Sequence, residues 1–448
     1  MKNPVVVAGA GPAGALMATY LGRQGHEVTI YESRPDLRTT DIAAGRSINL
    51  ALATRGVVPL ADIGVIDQVD AITIPMRGRM VHTNNDAAPH LQPYGNRRHE
   101  VIHSVSRTDL NGILLDAAEA TGNVTIEFEK AISGIDLDHG EISFSNGTSA
   151  PFGVVFGADG SGSVVREAMA TVGACDYRID WLGHSYKELT LGPSVDGTHQ
   201  LDPNALHIWP RGEFMLIALA NPGGDFTVTL FAPNDTFDEL TTQSSIKAFF
   251  DTEFSDFAPL MADLAQQFIA NPVGTLGTVR ATGWSYQDKA VLLGDAAHGV
   301  VPFHGQGMNA AMESARALAK HLQQHEDTAI AFQRYEQERK PSGDSIANMA
   351  LSNYVEMRAS VIDPNYQAHR ALALELEQRH PQHISPRYNM VMFSTMPYEE
   401  AEQRAKHQAK IIADALADRT VDVDKLVTAL PPLPDLDPLA DPSALSVD

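Results

Sequence analysis

Residues 4–8 form an unbroken apolar run, too short for a helix and suited to a strand buried on both faces. A glycine-rich loop follows, residues 13–24 carry a helical pattern, and residues 27–32 read as a second buried strand. Strand, helix and strand in that order predict a parallel βαβ unit. Further on, residues 107–121 repeat apolar positions at helical spacing, 124–129 and 141–145 alternate as strands, and 153–157 form another short buried strand. The middle of the chain changes character. Residues 184–192, 205–210, 213–219 and 225–231 alternate polar and apolar between Pro, Gly and Asp turns, which predicts an antiparallel sheet. Residues 244–270 read as helical, 290–294 return to a buried strand, and a helix is expected from Gln306 to Gln324. From 327 to 418 the pattern is almost wholly helical, with breaks expected at Pro341, Pro364, Pro381, Pro386 and Pro397. Residues 430–448, rich in Pro and Asp, are expected to be disordered.

Length and charge narrow the picture. A chain of 448 residues implies two or three domains and a core able to enclose a large cofactor. The net charge of −23 repels phosphate backbones and argues against nucleic acid as a partner. Cys175 is the one cysteine, so no internal disulfide forms, which suits a reducing compartment. Residues 3–22 are uncharged and loosely like a membrane span, but Gly9, Gly11, Pro12 and Gly14 would interrupt such a helix. A soluble, cytoplasmic protein without a membrane partner is the expectation.

The loop Gly9-x-Gly11-x-x-Gly14 joins the first strand to the first helix. The first glycine permits the tight turn, the second lets a pyrophosphate approach the backbone, and the third lets helix pack on strand. The helix N-terminus supplies N–H groups and positive dipole to the diphosphate. Glu32 follows Gly14 by 18 residues, close to the spacing for a carboxylate on a ribose hydroxyl. It disfavours a 2′-phosphate, so the loop is read as binding FAD or NAD rather than NADP.

Two later motifs are Gly157-Ala158-Asp159-Gly160 through Arg166, and Gly294-Asp295-Ala296-Ala297-His298 followed by Pro302 and by Gly305-Gln306-Gly307-Met308-Asn309. In this order along the chain they resemble the flavin-dependent aromatic hydroxylases, the group A flavoprotein monooxygenases. That resemblance implies FAD. It places Asp295 on the ribityl chain, Asp159 between FAD and pyridine-nucleotide handling, and Arg107 on the pyrophosphate, with Arg46, Gly305, Gly307, Met308 and Asn309 also on the cofactor. Residues 305–309 precede a helix, so their N–H groups can face the N1–C2 edge of the flavin, where the reduced ring is negative. Neither a second GxGxxG nor a CxxC appears, which disfavours disulfide reductases. The implied fold is α/β. A discontinuous Rossmann-like FAD domain covers 1–75, 100–180 and 275–328, an antiparallel sheet domain covers 76–99 and 181–274, and a helical domain over 329–425 covers the active site. Two departures stand out: Gly299 follows His298, and Glu313-Ser314 stands where the family often has an acidic pair.

The segments around Gly45-Arg46-Ser47-Ile48-Asn49-Leu50, Met76-Arg77-Gly78-Arg79-Met80, Asn353-Tyr354-Val355-Glu356-Met357 and Pro386-Arg387-Tyr388 resemble the branch of that family that hydroxylates L-kynurenine. The resemblance implies that Arg79 pairs with the substrate carboxylate, Tyr94 hydrogen-bonds it, and Asn353 and Tyr388 hold the amino-acid end. Phe303, His304 and Met357 would line the ring pocket, with His304 a possible modulator of the flavin; Arg77 is taken as structural. NADPH and O2 are the implied co-substrates, and a flavin C4a-hydroperoxide the implied oxidant, which needs apolar walls against water. No general base is named, because the aniline amine activates its own ortho carbon. No metal is expected, and the oligomeric state, monomer or homodimer, stays open. A hydroxylase of another anthranilic or phenolic acid is the near alternative. A non-catalytic binding protein on the same fold is the distant one, and it would show degenerate glycine and Asp295 motifs.

Overall fold

The computed structural model describes residues 1–39, 49–83, 88–95, 100–359, 363–418 and 420–433. The readings for Arg46 and for the tail beyond 433 fall outside them. Residues 431–433, expected to be loose, are docked: Arg404 donates to the carbonyls of Pro431 and Pro432 at 2.9 and 3.0 Å. The Leu433 N–H reaches the Gln382 carbonyl at 2.7 Å.

Val5–Ala8, buried at all four positions, lies inside a six-stranded sheet between Val28–Tyr31 and Val154–Gly157, parallel to both. Val124–Glu127 extends one side and Ala290–Leu292 the other, both parallel, and Ser285–Tyr286 adds an antiparallel edge. Apolar runs without alternation are what a sheet covered on both faces requires. Helices α1 (Pro12–Arg23), α2 (Arg107–Glu119) and α3 (Gly307–Gln324) pack here, α1 against both others.

The alternating middle segments build a seven-stranded sheet in the order Val273–Ala281, Tyr177–Leu191, Phe226–Pro233, Phe214–Ala220, Leu206–Arg211, Gly78–Val81, His90–Pro93. It is antiparallel as expected except where Leu206–Arg211 runs parallel to Gly78–Val81. The period of two sorts the side chains. Leu189, Leu191, Trp209, Leu216, Val228 and Leu230 join one apolar core with the helices that follow. Tyr186, Ile208, Met215, Ile217 and Phe231 join another that contains Phe303, Tyr354 and Met357.

Residues 244–270 are not one helix. They form Gln243–Glu253, a 3-10 turn Ala258–Leu260 and Leu264–Ala270. Phe254 and Phe257 turn into the sheet core, and Asp256 accepts the Trp209 indole N–H at 2.7 Å. Tertiary contacts have overridden the helical pattern.

The C-terminal region contains α4 (Thr328–Ala359), α5 (Pro364–Arg379), α6 (Arg387–Met392) and α7 (Tyr398–Ala417). Pro364, Pro386 and Pro397 start helices, but Pro341, expected to break one, lies inside α4. Contacts on both sides of Pro341 anchor the helix. The Tyr335 hydroxyl donates to the Leu292 carbonyl at 3.1 Å and Ser342 donates to Glu399 at 2.6 Å. Among the described residues no helix is long and apolar enough to cross a membrane.

Candidate active site

The three nucleotide motifs converge at one end of the parallel sheet. Gly9 adopts φ +94°, and a Cβ there would sit 2.6 Å from the Ala158 carbonyl oxygen. A Cβ at Gly14 would lie 2.0 Å from the Gly9 oxygen. A Cβ at Gly11 would meet nothing within 4 Å, so this glycine faces open space. That is the cradle a diphosphate needs: two glycines forced by protein packing and a third left clear for the ligand. The Glu32 carboxylate accepts the Ala10 N–H at 2.9 Å and the Arg34 Nε–H at 2.8 Å. Burial alone would raise its pKa, but Arg34 and the Ala10 N–H hold it below the ordinary range. Glu32 therefore braces the glycine loop at the end of the second strand.

Asp159 accepts the Val164 N–H at 2.8 Å through one oxygen, and its other oxygen is buried with no partner among the described residues. Gly294 packs against the glycine-loop helix, where its Cβ would stand 3.2 Å from Ala13. Asp295, next along, is enclosed by protein yet open to solvent, as a residue lining a deep cleft must be. The enclosure raises its carboxyl pKa, and Arg107, first residue of α2, opposes that rise. Sequence reasoning missed Glu188. It reaches the same cleft from the large sheet, and burial pushes it up to about 7 against the pull of Arg107. Its alternation with Tyr186 on one face was the only signal.

Gly305 has φ +66°, and Gly307 begins α3, so the N–H groups of Gly307, Met308 and Asn309 occupy the unsatisfied first turn. The Asn309 side chain is committed to the protein: it accepts from the Ala53 N–H at 2.9 Å and donates to the Ala51 and Gly305 carbonyls at 2.8 Å. Only its backbone remains for a cofactor. The Glu313-Ser314 departure from the family pattern is absorbed. Glu313 pairs with Arg55 and Arg339 at 3.0 and 2.7 Å, and Ser314 holds His298 at 3.1 Å.

Beyond that loop lies a buried cationic pocket. Arg79, on the strand Gly78–Val81, is 7% exposed, and its Nε has no hydrogen-bond partner among the described residues. Its guanidinium lies 4.6 Å from the Tyr388 ring centroid and 5.9 Å from that of Tyr94. The two tyrosines stack at 5.4 Å, and His304 stacks on Tyr388 at 5.4 Å. Both ring nitrogens of His304 are buried with no hydrogen-bond partner among the described residues. Burial, helped by Arg387 and Arg79, depresses its pKa to about 3, so the imidazole is neutral. Asn353, on α4, donates through its amide nitrogen to the Phe303 carbonyl at 2.6 Å and to Met357 Sδ at 3.2 Å. Phe303 stacks on Tyr354 at 3.9 Å. The seven expected substrate residues form two groups joined at the Phe303–His304 peptide, Arg79, Tyr94, Tyr388 and His304 in one and Asn353, Phe303 and Met357 in the other, while Arg77 is exposed between two strands. Arg79 Nε, the Tyr94 hydroxyl and both His304 nitrogens are thus buried here without a partner among the described residues.

An outer ring was not anticipated. Glu356 pairs with Arg387 at 3.0 Å and accepts the Tyr366 hydroxyl at 2.5 Å. Arg370 reaches Gln92 at 2.7 Å. Burial disfavours the charge on Arg79, but Tyr388, Tyr94 and Glu356 raise its pKa. The spacing Tyr366 to Arg370, one helical turn, could have pointed to this ring.

The FAD binding domain family matches residues 2–350. A kynurenine 3-monooxygenase of Stenotrophomonas maltophilia (strain K279a) is 46% identical over 417 residues, covering 91% of each chain. One from Myxococcus xanthus (strain DK1622) is 41% identical, covering 90% of this chain and 88% of its own. Among solved structures, 2-methyl-3-hydroxypyridine-5-carboxylic acid oxygenase superposes with a TM-score of 0.66 at 19% identity, over 81% of this chain and 95% of that one. P. aeruginosa PqsL in complex with 2-aminobenzoylacetate gives 0.64 at 21% identity, over 80% and 99%.

Proposed function

From the premise that the chain belongs to the kynurenine 3-monooxygenases, within the FAD binding domain family, we propose that it hydroxylates L-kynurenine at ring carbon 3 with NADPH and O2. The observation that carries the reading is Arg79, a buried cation whose Nε has no hydrogen-bond partner among the described residues, set among Tyr94, Tyr388 and His304 beside the loop at 305–309.

FAD, when bound in the cleft, supplies the activated oxygen after reduction by NADPH. Gly9, Gly11, Gly14 and the α1 N-terminus would hold its diphosphate, with Arg107 adding charge. Glu32 would take a ribose hydroxyl, and Asp159 and Asp295 the polar chain between the rings. The N–H groups of residues 307–309 would face the flavin. In the pocket, Arg79 binds the substrate carboxylate with Tyr94 beside it. The Asn353 amide oxygen and the Tyr388 hydroxyl accept from its ammonium. Phe303, Met357 and neutral His304 wall the ring and keep water out. A phenolic substrate would call for a base, and a histidine held at about 3 is too weak to serve. An aniline needs none, since its amine already activates the ortho carbon. The single cysteine suits a reducing compartment, and the cytoplasm is the proposed location.

The test is NADPH oxidation by the purified protein with and without L-kynurenine. Strong stimulation and a product one oxygen atom heavier are expected. Stimulation by benzoates or phenols but not by kynurenine would defeat the substrate assignment.

A further inference from the structure

We propose that Tyr398 and Gln306 form a positioning pair that fixes the flavin-facing loop and ties it to the short helix carrying the substrate contact Tyr388. This rests on the reading of the cleft as an FAD site. Gln306 lies between Gly305, in left-handed backbone, and Gly307, so the loop has little stiffness of its own. Its shape must come from side chains. Gln306 is fully buried and its amide is spent toward the C-terminal region. Its oxygen accepts the Tyr398 hydroxyl at 2.7 Å, and its nitrogen donates to Met392 Sδ at 2.9 Å. Asn309 anchors the other end to Ala51 and Ala53. Gripped at both ends, the loop leaves the first-turn N–H groups of α3 unpaired within the helix.

Tyr398 is itself clamped. The Arg55 guanidinium lies 3.9 Å over its ring. Arg55 in turn donates to the Val391 carbonyl at 3.0 Å, to the Met396 carbonyl, and to Glu313 at 3.0 Å. Glu313 also meets Arg339 at 2.7 Å. The Tyr398 N–H reaches Ser342 Oγ at 3.3 Å. A phenylalanine would fill the same space under Arg55, and what the hydroxyl adds is its bond to the loop. Met392, the second contact of Gln306, ends α6, and Tyr388 stands near the start of that helix. One six-residue helix therefore presents Tyr388 to Arg79 and Met392 to the loop. A helix N-terminus stabilises nearby negative charge, and the effect fades beyond its first turn. The aim of α3 therefore governs how well the reduced cofactor is favoured.

Tyr398→Phe in the FAD-loaded protein removes the hydroxyl alone. The midpoint potential of the bound cofactor should move negative, so that the reduced-to-oxidised ratio at a fixed reference potential falls about fivefold, the scale of one lost hydrogen bond. Hydrogen peroxide released per NADPH should rise, while the KM for kynurenine stays near the parent value. Gln306→Met removes the acceptor together with the bond to Met392 Sδ and should shift the potential at least as far in the same direction, and adding Tyr398→Phe to it should shift it no further. An unchanged potential in Tyr398→Phe, or additive shifts in the double variant, would overturn the pair. A parent protein that takes up no FAD would defeat the reading of the cleft itself, whereas an active parent with an unaltered variant defeats only the pair.

Discussion

In the first loop, protein atoms crowd Gly9 and Gly14, while Gly11 faces open space. Gly14→Ala drives a Cβ to 2.0 Å from the Gly9 oxygen, so the loop cannot keep its shape. Gly11→Ala meets no protein atom within 4 Å. Gly11→Ala should therefore keep the parent thermal midpoint without FAD yet lose FAD binding, whereas Gly14→Ala should lose both. Fluorescence of free FAD and a thermal melt distinguish them, and a Gly11→Ala protein that still binds FAD normally would refute the cradle. At Arg79, truncation removes a charge-assisted contact and leaves the substrate carboxylate buried alone. Arg79→Ala should raise the kynurenine KM about 10- to 100-fold, the range of charged hydrogen bonds, with FAD content retained. Equal loss of FAD would make Arg79 structural. The glycines and Asp295 were legible in the sequence because backbone constraints leave a local mark. Gln306–Tyr398 was not, since its partners are 92 residues apart and each alone reads as ordinary core. The Asn309 amide was legible as polar on a helix start, but not as wholly committed to Ala51, Ala53 and Gly305.

At the scale of elements, period and punctuation carried most strands and helices, and they failed where tertiary contacts outweigh local preference. Pro341 is the clearest case. It removes one backbone hydrogen bond and still lies within α4. Flanking anchors, Arg339 to Glu313 and Ser342 to Glu399, supply what the backbone forgoes. Pro341→Ala should therefore slow hydrogen exchange of the amides just after it, by restoring a bond worth about 1 kcal/mol. Faster exchange there would mean the proline is instead required. The region 244–270 shows the opposite failure. Phe254 and Phe257 sit at helical spacing, yet the helix ends at Glu253 and both enter the sheet core from the turn that follows.

Across the whole molecule, buried histidines set the response to acid. Burial holds His82, His103 and His298 near 4, and His304 near 3, against a usual 6.5. Each binds its proton more readily when unfolded, so stability is full above about pH 6.5 and is lost as pH falls toward the folded values. Glu188, held near 7, acts oppositely, because the folded state takes its proton first. Among these four histidines and Glu188, up to three protons net favour unfolding between about pH 6 and 4.5, at most about 4 kcal/mol per pH unit, and Asp159 and Asp295, also raised by burial, oppose this at the acid end. The thermal midpoint should drop clearly from pH 7.5 to 5.5, and a flat profile would refute neutral buried histidines. The parallel sheet carries a different consequence, one of timing. Val5–Ala8 is made before both of its partners in this sheet, Val28–Tyr31 and Val154–Gly157. At about 5–20 residues per second, the far partner leaves the ribosome on the order of ten seconds later. Through that interval one edge of a wholly apolar strand stays bare, the kind of edge that recruits wrong partners. Nascent chains arrested short of Gly157 should be protease-sensitive at that strand and bind holding chaperones, and chains arrested beyond Gln324 should resist.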